Sequence, residues 1–467
     1  MTKFLTILAA SLALAGCASM APTYERPAAP VAAQWPVAPS AAATQAADLG
    51  WREFFTDTRL QGLIDQALAN NRDLRVAVLN VQRAQAQYGV QQADRLPTVN
   101  AAAAQSATRS PGGSISRQYS ATLGVSAWEL DLFGRVKSLS DAALQQYLAT
   151  DDARRSAQVS LVAEVAGAYL TLAADQERLR LAEQTLLARQ EGLRLTQRLQ
   201  AAGVASTLDL RQAEIAAETA QTDLAGLTTQ VAQDRNALTL LVGQPLAPEQ
   251  LPVAGTDAAV TQTAELAAGL PSDVLLARPD VQQAERTLQA ANANIGAARA
   301  AFFPRISLTA SAGSASNALD GLFRSGSGLW TFMPQVSLPI FDAGRNRANL
   351  TIAQVDRDIA VAQYEKAIQA AFRDVADALA QRATIVQQVA SQQRLVAQTQ
   401  DTLRLAEARF AKGVDDRLAT LDAQRSLYGA EQGLINARLA QQVNRVTLYK
   451  ALGGGQGAAA AAPQSTS

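Results

Sequence analysis

Two short stretches of the chain combine a helix-breaking glycine with charged residues at helical spacing. They are Gly203–Glu214 (GVASTLDLRQAE) and Gly413–Ser426 (GVDDRLATLDAQRS). In the second stretch Leu418, Asp422 and Arg425 recur at intervals of four and three, which puts them on one helix face. Such residues form an ordinary surface ion pair worth roughly a few tenths of a kcal/mol, or they line an opening in an assembly. The residues alone favour the ion pair.

The residue types of the chain exclude most catalytic chemistry. The sequence contains no histidine and one cysteine, so it lacks Ser/His and Cys/His nucleophile systems, nearly every zinc site and any intrachain disulfide. Its 41 basic and 41 acidic residues give a formal charge of zero, which provides no field to recruit nucleic acid. We expect no enzyme activity, no metal, no cofactor and no nucleic-acid partner.

The single cysteine has a chemistry of its own. Lys3 is followed by the apolar run Phe4–Ala15 and then by LAGC, which ends at Cys17. The layout is that of a signal peptide at residues 1–16, and LAGC resembles the bacterial lipobox. It predicts that Cys17 becomes the first mature residue and carries an N-acyl chain and a diacylglycerol lipid. Ala18 follows instead of Asp, which in bacterial lipoproteins implies sorting to the outer membrane.

Beyond this segment the sequence repeats itself at a long interval. Asp73 matches Asp280 at an offset of 207, and Gly203 matches Gly413 at an offset of 210. Self-similarity of this kind predicts two copies of one structural unit. The predicted divisions are a Pro/Ala-rich lipidated tether at 17–50, a first repeat at 51–243 with a strand hairpin at about 98–130, a linker at 244–269, a second repeat at 270–453 with a strand hairpin at about 305–341, and a disordered tail at 454–467.

Each repeat contains one very long stretch of helical pattern without proline. The two stretches are predicted at about Lys137–Ala202 and Asn346–Lys412, where an apolar residue recurs every seven positions, with Arg382 the one exception. This is the pattern of a left-handed coiled coil. At ~1.5 Å per residue each helix would be about 100 Å long. Shorter helices are predicted at about Gln61–Asp94, Leu208–Val242, Ser272–Ala301 and Arg417–Leu452.

Four other segments alternate apolar with small polar residues, which is typical of amphipathic strands. The clearest are Tyr119–Ala127 and Ile306–Gly313, with partner strands predicted at Thr98–Ser110 and Trp330–Phe341. Each has about the 9–11 residues that a tilted strand needs to cross a bilayer. A water-facing sandwich shows the same alternation, but the lipobox and the lack of further strand patterns favour a membrane barrel. Four strands cannot close a barrel in lipid, so several chains must contribute.

At this point the sequence resembles the outer membrane factor family, the TolC-like exit ducts, and in particular the OprM-type lipoproteins of multidrug efflux systems. The resemblance covers almost the whole mature chain. The stretches that carry it are GWREFF at Gly50–Phe55, NNRDLRVA at Asn70–Ala77, WELDLFGR at Trp128–Arg135, GLPSDVLLARPD at Gly269–Asp280, IGAARAAFFPRISL at Ile295–Leu308 and VAQYEKAIQ at Val361–Gln369.

The resemblance implies a fold and a function. Three chains would form a homotrimer, in which four strands per chain give a twelve-stranded outer-membrane β-barrel and the coiled-coil helices continue as a periplasmic α-barrel. The assembly would be a passive exit duct for drugs and other small toxic compounds. Its partners would be a periplasmic adaptor, also called a membrane fusion protein, and an inner-membrane pump of the resistance-nodulation-division (RND) class. Type I protein secretion and a non-conducting coiled-coil lipoprotein are the alternatives.

The two glycine stretches take a place in this architecture. Gly203 and Gly413 would each end a long helix in the left-handed conformation and turn the chain at the periplasmic tip. After the first turn, Ser206 and Asp209 have the spacing of a capping box. After the second, Asp415 or Asp416 can cap the next helix.

The resemblance also implies a gate at the second turn. The family residues that match Leu418 and Asp422 narrow the closed end of the duct, and the arginine that matches Arg425 belongs to the same network. Threefold symmetry would turn Asp422 into a ring of carboxylates that Arg or cations must balance. The family often has Tyr where this chain has Phe410, so a tyrosine hydroxyl bond between the hairpins is expected to be missing.

Overall fold

A computed structural model of the protein describes residues 19–36, 44–45, 50–252, 266–267 and 275–454. The predicted signal peptide and lipid site at Cys17 lie outside the described residues. So do parts of the predicted tether and linker, and the tail beyond residue 454.

Helices predominate among the described residues, and a sheet of four strands interrupts them. The first half of the chain contains α1 (Trp51–Phe54), α2 (Thr58–Asn70), α3 (Arg72–Ala93), β1 (Val99–Arg109), β2 (Ile115–Leu130), α4 (Arg135–Ala201) and α5 (Thr207–Val242). The second half contains α6 (Pro279–Ala300), β3 (Arg305–Ser316), β4 (Gly328–Ser337), α7 (Arg345–Ala411) and α8 (Arg417–Ala451). From α3 and from α6 onward, the two halves show the same order of elements.

One compact unit contains the sheet. Its described residues are 19–29, 78–153 and 282–367. The four strands are antiparallel and lie in the order β1-β2-β3-β4, so the two hairpins pair through β2 and β3. Helices α4 and α6 pack through small side chains. Ala142 of α4 lies in one buried cluster with Ala290 and Ala293 of α6.

The second compact unit consists of the described residues within 30–77, 154–281 and 368–467. Its core includes Phe54, whose ring stacks on that of Tyr449 with 4.2 Å between centroids. Residues of the seven-residue repeat, such as Leu172 and Val375, are fully buried. Leu403, closer to the second turn, is only half-buried.

Asn71 breaks the helix that the sequence predicts at Gln61–Asp94. Its backbone is extended, with φ −61° and ψ 131°, so α2 ends there and α3 begins anew. The Asn71 side chain accepts a hydrogen bond from the Leu74 N–H at 2.9 Å and donates one to the Leu241 carbonyl at 2.9 Å. The prediction of one helix was wrong because an Asn side chain competes for backbone groups and favours caps over helix interiors.

Two other predicted boundaries were also wrong, and one short strand pair was not predicted. The helix predicted at about Ser272–Ala301 is interrupted at Arg278, and α6 begins at Pro279, since proline is tolerated only in the first turn. Strand β4 ends at Ser337 and not at Phe341, because Pro339 has no N–H for the ladder. A two-residue parallel pair was missed altogether, in which Thr44–Gln45 of the predicted tether pairs with Leu266–Ala267 of the linker.

Candidate functional site

The turn at Gly413 ends α7 in the way that the sequence predicts. Gly413 has φ 68°, in the left-handed region that favours glycine. Its N–H donates to the Phe410 carbonyl at 2.9 Å, and the Val414 N–H donates to the Arg409 carbonyl at 3.0 Å. These bonds occupy carbonyls that the end of a helix leaves without partners.

Asp416 and not Asp415 caps the helix that follows. The Asp416 Oδ1 atom accepts a hydrogen bond from the Ala419 N–H at 3.2 Å. Asp415 instead accepts two bonds from Arg409, at 2.5 Å from Nε and 2.8 Å from Nη2, and so ties the end of α7 to the turn. Arg409 holds the pKa of the Asp415 carboxyl below its usual range. Sequence reasoning missed Arg409.

The residues predicted to form the gate come together on one face of α8. Asp422 Oδ1 and Arg425 Nη2 are 3.1 Å apart, and the two side chains are 54% and 79% exposed. Leu418, which is 43% exposed, lies one turn before Asp422. We call these three residues the exposed stripe. In a single chain the ion pair would be worth about 0.3–0.5 kcal/mol, so its stability alone does not explain the cluster.

The turn at Gly203 has the same backbone and different side-chain contacts. Gly203 has φ 76°, and the Val204 N–H donates to the Leu199 carbonyl at 2.9 Å. The predicted capping box is confirmed: the Asp209 N–H donates to Ser206 Oγ at 3.1 Å, and the Ser206 N–H donates to Asp209 Oδ2 at 2.8 Å. The Ser206 Oγ–H also donates to Asp209 Oδ2 at 2.7 Å, and this bond, together with the one from the Ser206 N–H, lowers the pKa of Asp209.

The two turns also differ in their ion pairs. Arg211 bonds to Glu214 at 2.7 Å with a spacing of three, whereas Asp209 is used by the capping box. The Phe410 ring, which carries no hydroxyl, meets a cation instead. The guanidinium carbon of Arg417 lies 5.3 Å from the centroid of the Phe410 ring. The spacing of Phe410 and Arg417 on either side of the turn could have signalled this contact.

The sheet has one apolar and one small polar face. Strand pairing aligns Trp330 with Ala312 and Leu123, and Phe332 with Ala310 and Val125. On the other face the pairs consist largely of Ser, Thr, Gly and Gln. Among the described residues of this face Leu123, Phe332 and Trp330 are exposed, Trp330 by 78%. An uncovered apolar face of this kind suits contact with lipid.

A bulge in β2 keeps the apolar face continuous. Val125 pairs with Ala310 and Trp128 pairs with Leu308, so β2 has one residue more than β3 in this interval. Because side chains alternate along a strand, the extra residue moves the apolar positions of β2 from odd to even numbers. Ala127 in the bulge has φ 51°, and its N–H donates to Thr309 Oγ1 at 3.0 Å.

Both edges of the sheet are open. Among the described residues, strands β1 and β4 each pair on one side only. Pro334 lies in β4, where an edge strand tolerates the missing N–H. Unpaired backbone groups at the edges of a sheet in lipid would each cost several kcal/mol, so the edges require further strands.

A charged cluster connects the end of β2 to the start of α4. The Glu129 carboxylate accepts bonds from Arg135 Nε and Nη2, both at 2.8 Å, and from Arg305 Nε at 2.5 Å. Glu129 is mostly buried, so the pairs hold the strands against the helix with little screening. Glu129 and Arg135 both lie in the stretch WELDLFGR, but the ion pair between them was not predicted from the sequence.

The described part of the predicted tether packs on helix α6. Arg26 forms two bonds to the buried Glu285 carboxylate, at 2.8 and 3.0 Å, and the Tyr24 hydroxyl donates to the same carboxylate at 3.0 Å. Burial, and then the Glu285 charge, raise the pKa of Tyr24. Asn292 donates to the Pro22 carbonyl at 2.8 Å.

Within the described ranges, no group of three or more His, Cys, Asp or Glu residues could hold a metal ion. The contacts described above are ion pairs, hydrogen bonds and an exposed apolar surface.

The sequence and the structure are similar to those of known proteins. The sequence model of a family described as "Outer membrane efflux protein" matches residues 63–244 and 270–454. The toluene efflux pump outer membrane protein TtgC and the antibiotic efflux pump outer membrane protein ArpC, both of Pseudomonas putida, are each 51% identical over 467 residues, with 97% of this chain and 96% of the relative covered. The open state of the MtrE outer membrane channel of Neisseria gonorrhoeae superimposes with a TM-score of 0.87 at 42% identity, covering 94% of this chain and 99% of that one.

Proposed function

The chain belongs to the outer membrane efflux protein family, and we propose that three copies of it form the exit duct of a tripartite efflux system. It is an outer-membrane efflux channel and not an enzyme. The oligomeric state, the partners, the cargo, the gate and the lipid anchor are the parts of the proposal that go beyond this membership.

The open-edged sheet is the observation that carries the proposal. Its apolar face is exposed, and neither edge strand has a second partner in the part of the chain that the structure describes. Lipid admits a sheet only when the sheet is closed, and closure needs strands from other copies. Three copies supply twelve strands, an even number that suits an antiparallel barrel. The long helices α4 and α7 then continue from each sheet as the wall of a periplasmic α-barrel.

The partners follow from what an outer-membrane channel lacks. It has no energy source of its own, so an inner-membrane pump, of the RND class, must drive transport. A periplasmic adaptor, or membrane fusion protein, must connect the pump to the duct. Since TtgC is named for toluene and ArpC for antibiotics, the proposed cargo is drugs and other small toxic compounds. Type I protein secretion has no comparable support.

The proposed gate is the exposed stripe on α8. In a trimer, Leu418, Asp422 and Arg425 would each occur three times around one axis and narrow the periplasmic end of the duct. The three carboxylates would repel one another, and the Arg425 guanidinium at 3.1 Å would balance each of them. The turns at Gly203 and Gly413 would place two hairpins per chain at this tip.

The lipid anchor is proposed at Cys17, with an N-acyl chain and a diacylglycerol group. Replacing Cys17 by Ser should abolish labelling by radioactive palmitate while trimers still form in the outer membrane, because the barrel alone holds the protein there. Complete loss of membrane association in this variant would contradict a barrel made by the strands.

Ion conductance tests the duct itself. The purified protein in a planar bilayer should conduct ions as a trimer, whereas a coiled-coil lipoprotein that only spans the periplasm would not. Deletion of the gene should then increase sensitivity to small toxic compounds. A protein that conducts, with a deletion that blocks only protein export, would favour type I secretion.

A further inference from the structure

Helix α8 begins with two faces that lie about 130° apart around its axis. One is the exposed stripe. The other consists of Arg417, Thr420 and Gln424, of which Thr420 is fully buried. Both faces belong to one rigid helix, so whatever holds the second face determines where the exposed stripe projects.

We propose that Arg417 is a positioning residue that latches α8 to α4, and thereby sets the closed position of the exposed stripe. The proposal deepens the gate and rests on it. Arg417 itself lies outside the stripe, and its place in the latch follows from its two neighbours.

The Arg417 guanidinium lies between an aromatic ring and a notch on another helix. The ring is that of Phe410, in the last turn of α7, at 5.3 Å from the guanidinium carbon. The notch is at Gly192 on α4, where a methyl group would lie only 2.5 Å from Arg417 Nη2. A methyl group at position 192 would therefore require the end of the Arg417 side chain to move, and the glycine leaves room for the guanidinium where it lies. The guanidinium joins the second hairpin to the first.

Helices α4 and α8 also contact each other at two places further from the turn. Arg189, almost one turn before Gly192 on α4, donates a hydrogen bond to Gln424 Oε1 on α8. Arg178 donates to Asn436 Oδ1 in the same way. Of these contacts between α4 and α8, the one at Arg417 is therefore nearest to the turn.

Charged residues near Arg417 also affect how firmly its guanidinium is held. Burial lowers the pKa of Arg189, and the positive charge of Arg417 lowers it further. Burial also lowers the pKa of Arg417, and Glu407 opposes that effect. The Nε atom of Arg417 has no hydrogen-bond partner among the described residues. The Arg417 guanidinium is thus held by the ring contact and by packing at Gly192, and the like charge of Arg189 opposes it.

A methyl group at the notch tests the latch without removing a charge. Gly192→Ala would displace the Arg417 guanidinium from its present position on α4, because Nη2 is the mobile end of a long side chain. Gly167→Ala is the matched control, because it lies on the same helix, gives the same gain in helix propensity, and has no atom within 4 Å of the new methyl group. In planar bilayers we expect Gly192→Ala to raise the open fraction on the order of two- to tenfold per protomer, as the loss of a half-buried cation–π contact would. The control should conduct like the parent protein.

Arg417→Ala should produce the same increase, and Arg417→Lys a smaller one, because lysine keeps the charge but not the planar group that fits the ring. The variant that combines Gly192→Ala with Arg417→Ala should open no further than either single variant, since both remove one contact. The thermal unfolding midpoint of the trimer should change little in all of them. A merely structural role would lower that midpoint and leave the open fraction unchanged.

Each other outcome overturns one specific statement. If both single variants conduct like the parent protein while Asp422→Ala with Arg425→Ala opens the channel, the latch is wrong and the gate remains. If the effects of Gly192→Ala and Arg417→Ala add, the two residues do not act through one contact. If none of these variants changes conductance, the gate itself fails. Should Gly192→Ala not assemble, Arg417→Lys and Phe410→Leu test the same contact without filling the notch.

Discussion

The turns at Gly203 and Gly413 follow two helices of equal length, α4 and α7, each of 67 residues. Both glycines are left-handed, and in both turns the residue after glycine donates back to the helix at 2.9 to 3.0 Å. Their charged residues behave differently. Those after Gly203 bond within the first two turns of α5, whereas those around Gly413 also reach back to α7 and across to α4.

The two turns share the backbone conformation that the end of a helix requires, and they differ in the side-chain contacts around it. Any long helix must satisfy its last carbonyls, and a left-handed glycine does this wherever the chain turns. The charged residues can differ between the two turns because the backbone conformation of the turn does not depend on them. At the second turn Arg409, Arg417, Asp422 and Arg425 all engage neighbours, so this hairpin is the one whose position is specified by side chains.

The largest expected difference between the turns is in conductance. Replacing Asp422 and Arg425 together by Ala should increase single-channel conductance in planar bilayers several-fold, because it removes the charged ring that would close the duct. The matched control replaces Arg211 and Glu214 by Ala, which removes an exposed ion pair of the same spacing from the first hairpin. Equal effects of the two double variants would show that the hairpins are equivalent and that the gate is not at the second turn.

A smaller effect should be common to both turns. Gly203→Ala and Gly413→Ala should each destabilise their hairpin by about 1–2 kcal/mol, since a left-handed conformation costs a Cβ-bearing residue that amount. Nothing lies within 4 Å of either new methyl group, so the cost is one of backbone conformation alone. Hydrogen exchange of the amides that flank each turn measures the loss. A loss confined to one turn would mean that the two backbones are not equivalent.

The smallest effect concerns salt and pH. High salt should weaken the exposed Arg409–Asp415 pair and speed amide exchange at the second turn, but should leave the Ser206–Asp209 capping box largely intact. The pKa values of Asp415 and Asp209 are both lowered by folding. The stabilisation they provide is thus present above the ordinary pKa of Asp and is lost as the pH falls through the lowered value. Asp415→Asn should remove the salt effect; a salt effect that persists in this variant would exclude the ion pair as its cause.

Much of the fold could be read from particular residues. Gly203, Gly413 and Ser206 predicted the turns and the capping box because these depend on neighbours within a few positions. The strands were recognisable by alternation, which depends only on which face is apolar. Asn71 was misread because a cap inside a periodic stretch has no signal of its own until the helix that it bonds to is known.

For the charged residues, only a contact within one helix could be predicted from the sequence. Asp422 and Arg425 were paired correctly, since three residues separate them on one helix. The contact of Arg417 with Gly192 was not foreseen, because a glycine within a helix predicts nothing until another helix packs against it. Glu129 with Arg305 is a pair of the same kind, formed between residues far apart in the chain.

By itself the sequence determined the elements of this protein: the long helices, the strand pattern, the left-handed glycines and the charges that lie within one helix. These depend on backbone geometry and on the period of the apolar residues, which act over a few positions. Only the tertiary structure decided which side chains meet across helices and strands, including the continuous apolar face that the bulge at Ala127 preserves and the notch that receives Arg417. Those contacts depend on the distance between elements, which packing sets and no local pattern records.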